Sequence, residues 1–186
     1  MIRRLSGVVC FVLIGLLLPV LFIAHDTERV KDLHVSTAER VNQSLVVETQ
    51  RFVAGSSDTL PPVYDGRARS HFVDVRDLVV NAEILLVALS VAASLLSASR
   101  KVFFETGLSL FGVGVFLGAL TYIDFSFVFD WFHRLVFPPG TYTFAESSLP
   151  IALFPSSFFK AVVFDAVVGW LAACLGFVCL GFIRRR

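Results

Sequence analysis

Two histidines have both the chemistry and the placement to work together. His71 lies in Ser70-His71-Phe72-Val73-Asp74-Val75, just ahead of an apolar stretch, and His133 lies in Asp130-Trp131-Phe132-His133-Arg134, just behind another. Imidazole titrates near neutrality, so it can take and return a proton at physiological pH. Asp74 follows His71 by three residues and Asp130 precedes His133 by three. On a helix that spacing puts each pair on one face. A carboxylate bonded to one ring nitrogen fixes the tautomer and leaves the other nitrogen as base or acid. His71, His133 and Asp74 are therefore the candidate catalytic residues. One histidine in such a place is more simply an interfacial residue with a polar neighbour; two at matching places on the same side of a membrane make shared chemistry as good a reading as that one.

Other site chemistries fit less well. Two His and one or two Asp would suit zinc, but there is no H-E-x-x-H and no dense cluster of ligands, so no metal is expected. Ser147 and Ser148 lack the G-x-S-x-G elbow of a serine hydrolase. Cys10, Cys174 and Cys179 all fall within apolar stretches and read as small packing residues, with no disulfide framework among them.

The elements that must position the histidines follow from hydropathy. The chain has 186 residues, of which 56% are hydrophobic, and its mean hydropathy is +0.78. That is too apolar for an ordinary soluble domain. Four stretches, Leu5 to Ala24, Leu78 to Ser99, Val102 to Ile123 and Ala161 to Ile183, are long enough to cross a hydrocarbon core that needs about 20 helical residues. Arg3 and Arg4 precede the first, Arg100 and Lys101 join the second to the third, and Arg184, Arg185 and Arg186 follow the fourth, with no acid among them. The positive-inside rule therefore places both termini and the Arg100-Lys101 hairpin in the cytoplasm. Two loops, about 25–77 and 124–160, then face outward and carry both histidines. The first stretch is long for a signal-peptide core, and Phe22 and Ile23 do not make a small-x-small cleavage site, so an uncleaved anchor is expected. The expected architecture is an all-α polytopic membrane protein: one membrane domain over 1–186, with four transmembrane helices and a small, mostly helical extracytoplasmic crown. A net charge of +1 gives no sign of a nucleic-acid partner.

Within the first loop, Ser36-Thr37-Ala38-Glu39 fits a capping box, and Val41, Leu45, Glu48 and Phe52 continue at helical spacing toward Gly55. A second start at Ser70 predicts a helix running on into the second span. The second loop is rich in Phe, with Trp131 and Tyr142, and few charges, a composition suited to the headgroup layer. Pro138-Pro139-Gly140 must end the helix that carries His133, and Pro150 and Pro155 bracket another short apolar turn. Glu83 and Asp165 lie inside spans, where a carboxylate is either functional or reached by a long cation such as Arg76, Arg134 or Lys160. Glu105 is expected to pair with Lys101. Gly107, Gly112, Gly114 and Gly118 offer the third span a close-packing face. His25 and His34 have no motif around them and are expected to be solvated.

Two segments resemble a known family. Ser-His-x-x-Asp-Val at residues 70–75 is similar to the outer segment before the second span of the bacterial lipoprotein intramolecular transacylases. Phe132-His133-Arg134-Leu135-Val136-Phe137, followed by Tyr142, Phe144, Pro150, Phe154-Pro155 and Phe158-Phe159, resembles their second outer loop. The four-span layout agrees over nearly the whole chain. The resemblance implies an acyltransferase of the bacterial cell membrane, acting at its outer face. Its substrate would be a lipoprotein whose N-terminal cysteine carries a diacylglyceryl thioether, and the sn-2 acyl chain would move to the cysteine α-amine. The nucleophile then belongs to the substrate, and the reaction closes a ring of roughly eight atoms that the enzyme must hold in place. The histidines would supply proton transfer and oxyanion stabilisation, Phe132, Phe137, Tyr142 and Arg134 would bind substrate, membrane lipid would surround the site, and no cofactor is implied. The alternatives are a non-catalytic membrane scaffold, marked by tolerance of substitution at both histidines, and a transporter, which would need broken helix pairs that these spans lack.

Overall fold

The computed structural model describes residues 2–37, 42–96 and 99–183, and every regular element among them is helical. In chain order these are α1 (Ile2–His25), α2 (Thr27–Thr37), α3 (Gln43–Val53), α4 (Gly66–Leu95), α5 (Arg100–Ile123), α6 (Phe125–Val136), α7 (Leu149–Leu153) and α8 (Ser156–Ile183). Helices α1, α4, α5 and α8 are long and apolar enough to cross a membrane. Most of their apolar surface is turned outward, which is stable only where lipid replaces water.

The chain divides into two compact units. The first comprises Met1–Leu21, Ala82–Ala119 and Asp165–Arg186. It is packed through small residues and a few polar contacts between spans. A Cβ at Gly107 would lie 2.6 Å from Val178, and one at Gly169 2.6 Å from the ring of Pro19. The glycine face expected on α5 reduces to Gly107, because Gly112 and Gly114 have nothing within 4 Å and Gly118 makes only an ordinary contact. Pro19 lacks an N–H and disturbs its own helix turn; in that turn the indole of Trp170 donates to the carbonyl of Leu16 at 2.9 Å. Cys174 packs as a buried thiol against the Gly107 carbonyl. Glu105 does not pair with Lys101 as expected: Arg4 takes it, through Nε at 2.7 Å.

The second unit comprises Phe22–Asn81 and Leu120–Phe164 and holds the site. Local capping sets its elements. Asp26 accepts from the Arg29 amide to start α2, Asn42 from Ser44 to start α3, Asp65 from Ala68 to start α4, and Asp124 from Phe127 to start α6. Two sequence expectations change as a result. Ser36 lies in the last turn of α2, where its hydroxyl donates back to Leu33, and does not open a helix; Ala38 and Glu39 of that capping box lie outside the described residues. Helix α4 starts at Gly66, ahead of Ser70, and runs unbroken for 30 residues. Its first three turns carry Arg67, Arg69, Asp74, Arg76 and Asp77, and the residues from Leu78 onward are mostly apolar. Gln50 ties three elements together, donating to the Ala24 carbonyl at 2.6 Å and accepting from Thr27 at 3.0 Å. Thr49 and Tyr64 share a buried hydrogen bond of 2.6 Å, and the Tyr64 ring packs on Phe72, next to His71. Burial pushes the Tyr64 phenol up to about 12, so it stays a neutral structural partner.

Candidate active site

Helix α4 presents His71 little more than a turn after its start, and α6 presents His133 one turn before its end at Val136. The two rings stand 6.0 Å apart, centroid to centroid, and are inclined by 29°. Phe137, the residue that closes α6, is buried and touches both, at 4.9 Å from His71 and 5.3 Å from His133. It can do so because Pro138 and Pro139 stop the helix there. Beyond them Gly140 adopts φ +86°, a conformation open to glycine, and the chain returns to set Tyr142 5.5 Å from His133 and Phe144 5.5 Å from His71. Arg67, in the first turn of α4, donates to the Thr143 carbonyl between them at 3.2 Å. Phe129 packs against His133 from the turn before, its ring tilted by 42° with the centroids 4.1 Å apart.

The two histidines are held differently. His133 is 9% exposed, and its Nδ1 lies 2.7 Å from the Phe129 carbonyl. A carbonyl only accepts, so Nδ1 carries the proton and Nε2 keeps its lone pair. Asp130, expected as the orienting carboxylate, instead forms a surface ion pair with Arg134 at 2.7 Å. The backbone carbonyl wins because it lies one turn back along the same helix, on the side that the ring must occupy to be buried. His71 Nδ1 and Asp74 Oδ2 are both buried and have no hydrogen-bond partner among the described residues. The hydrogen bond anticipated between them is not made, although the Asp74 charge still raises the proton affinity of His71.

Both rings are kept neutral near pH 7. Burial pushes His71 down to about 4, the neighbouring His133 adds to the shift, and Asp74 opposes it. Burial also lowers His133, against the opposing effects of the Phe129 carbonyl and Asp130. A neutral imidazole with one free lone pair is a proton acceptor in waiting. Among the described residues, no three His, Cys, Asp or Glu side chains gather as a metal-ligand group.

Of the residues proposed to contact substrate, Phe137 and Tyr142 join the cluster, and Phe132 stands at its edge, 5.5 Å from His133 and largely exposed. Arg134 does not turn inward: its side chain is 70% exposed and committed to Asp130. Nor do the other cations offered for the intramembrane acids stay uncommitted, since Arg76 pairs with Asp58 and lies over Phe52, while Lys160 lies over Phe125. Sequence reasoning did not assign Phe129 and Phe144 to the site. Phe129 was marked by its place four residues before His133. Phe144 carried no local signal, because the turn at Gly140 brings it in. His34 also departs from expectation: it is 2% exposed, one of the buried residues of α2 with Val30 and Leu33, and lies near Phe158. His25 is exposed.

A family model described as lipoprotein intramolecular transacylase Lit matches residues 56–159, more than half of the chain and the whole of the histidine site. The chain belongs to the Lit family. It is thus an integral membrane acyltransferase of the lipoprotein intramolecular transacylase type. Solved structures agree in fold. The membrane integral Lit from Bacillus cereus has 17% sequence identity and a TM-score of 0.75, the match covering 96% of this chain and 92% of that one. Two histidine-substituted variants of that protein match with TM-scores of 0.73 and 0.68, at 16% and 17% identity; each match covers 98% of this chain and 90% and 91% of theirs. No curated protein sequence matches. At such identities the likeness lies in the fold, and the Lit-family assignment rests on the model that spans His71 and His133.

Proposed function

We propose that the chain moves the sn-2 acyl chain of a diacylglyceryl lipoprotein to the α-amine of its N-terminal cysteine, giving an N-acyl, S-monoacylglyceryl product. The observation that carries this reading is the neutral histidine pair set among aromatic rings, in a unit that contains no cysteine. Cys10 and Cys174 belong to the other unit, as does Cys179. An attacking group supplied by the substrate matches that arrangement.

The reaction needs one deprotonated amine and one proton relay. The amine nitrogen attacks the ester carbonyl carbon and forms the C–N bond. His133 Nε2, free because Nδ1 is engaged, takes the proton released from nitrogen and returns it to the sn-2 oxygen as the C–O bond breaks. His71, through whichever nitrogen bears hydrogen, donates to the developing oxyanion. Such acid–base help is worth roughly 100- to 10,000-fold. Phe137, Tyr142 and Phe144 exclude water, and Phe132 lies where the substrate would enter. Both termini are cytoplasmic in this reading and the site is at the outer face of the bacterial membrane; the exposed Phe127, Trp131 and Leu135 of α6 suit its headgroup layer.

The test is mass spectrometry of lipoprotein N-termini from a bacterium that makes the diacylglyceryl form, with and without this chain. Conversion to the N-acyl, S-monoacylglyceryl form is expected. An unchanged lipoprotein pool, with the chain present in the membrane, overturns the assignment.

A further inference from the structure

Helix α4 carries two buried polar atoms without a hydrogen-bond partner among the described residues, and Asp74 Oδ2 can only accept. His71 Nδ1 and Asp74 Oδ2 lie three residues apart, so they share a helix face, and neither has a hydrogen-bond partner among the described residues. A buried carboxylate oxygen left unpartnered is costly, and native structures rarely retain one without a use for it. The cations of the surrounding chain are spent elsewhere: Arg76 on Asp58, Arg67 on the Thr143 carbonyl, Arg69 on the Pro61 carbonyl and Arg134 on Asp130. A small donor with more than one N–H would match both atoms, and a positive charge on it would match the carboxylate.

We propose that Asp74, together with His71 Nδ1, is the docking site for the substrate's α-ammonium group, and that Asp74 takes the first of its protons. This deepens the acyl-transfer reading and rests on it. An amine with a pKa near 8 arrives mostly protonated. Set against Asp74, one N–H bond breaks as an Asp74 O–H bond forms, turning the ion pair into a neutral amine and a carboxylic acid. The freed lone pair then attacks the ester. Its second proton passes through His133 to the sn-2 oxygen, and Asp74 later releases the first to water. The site thereby selects lipoproteins with a free N-terminus over those already N-acylated.

The experiment measures binding of a synthetic diacylglyceryl-cysteine lipopeptide and of its des-amino analogue to the purified protein in nanodiscs. A His133→Ala background keeps the ester intact. The free-amine lipopeptide is expected to bind about ten- to a hundredfold tighter, the range of a charge-assisted hydrogen bond. Asp74→Asn should bring that ratio close to one while leaving the des-amino analogue's affinity unchanged, and Asp74→Glu should restore part of it. Asp74→Ser serves as a second neutral variant if Asn lowers the yield of folded protein. A preference that survives the neutral substitutions overturns the proposal, as does an equal loss of affinity for both ligands, which would mark a structural role. The same holds if no preference exists before substitution. Failure of the acyl-transfer reading is a separate result, seen as unchanged lipoprotein in cells that carry the intact chain.

Discussion

Helices α4 and α6 each bring one histidine to the site, and they do so in opposite ways. On α6, a short helix bounded by the Asp124 cap and Phe137, His133 is satisfied from within its own segment by the Phe129 carbonyl. On α4, a 30-residue helix that continues into the membrane, His71 and Asp74 are placed by the backbone but left without partners. The first arrangement fixes a tautomer; the second leaves two polar atoms unmatched. The difference teaches that a relay group needs a settled proton, whereas a docking group needs an unsettled one.

Removing either imidazole should have the largest effect. His133→Ala and His71→Ala should each lower conversion by roughly 100- to 10,000-fold, read as the rate of N-acyl product formation. The contrast is sharpened by His133→Asn, whose amide can still donate to a carbonyl but offers no basic nitrogen; it should be as inactive as Ala. An active Asn variant would break the comparison, because His133 would then be a structural donor.

Phe137→Ala should come next. The ring is buried and shared by both histidines, so its loss should cost about 3 kcal/mol of stability and lower conversion by an order of magnitude or more as the pocket floods. Thermal unfolding and product formation report the two effects separately. A variant that loses stability but keeps its rate would show the ring to be packing alone.

Acidification should have a smaller, graded effect. The folded chain holds both histidines below the usual 6.5, so the unfolded chain binds protons first as pH falls. The stabilisation is fully present above about pH 6.5 and is lost as pH falls through the folded values, toward about 4 for His71. The midpoint of thermal unfolding should therefore drop between pH 7 and pH 5, and the drop should shrink in a His71→Asn, His133→Asn double variant. An identical slope in that variant would assign the acid sensitivity to other groups. Smallest of all, Arg134→Gln should change stability by less than about 1 kcal/mol and conversion by less than a few-fold, because an exposed ion pair contributes little.

Much of this was legible in the chain. The four spans follow from apolar length, and the matching places of His71 and His133 at span ends follow from counting residues. The continuity of α4 was also visible, though its start was not, since the Asp65 cap competes with Ser70 and the earlier cap wins. Helix α2 was missed although Asp26 caps it and Val30, Leu33 and His34 recur at helical spacing; its mixed charges masked a buried stripe. The pairing of Asp130 could not be read, because it depends on which side of α6 is buried, and i+3 and i+4 partners compete for one carboxylate. Phe144 was out of reach for a similar reason: a turn at positive φ, not a periodic pattern, delivers it.

The hydrogen bond that fixes His133 spans a single helical turn and calls on no distant residue. Such a contact can form with its helix, on a timescale of about a microsecond or less, well before slower tertiary assembly. The protonation pattern of one reactive ring is therefore inherited from the earliest structure the chain makes, whereas the other must wait for its substrate.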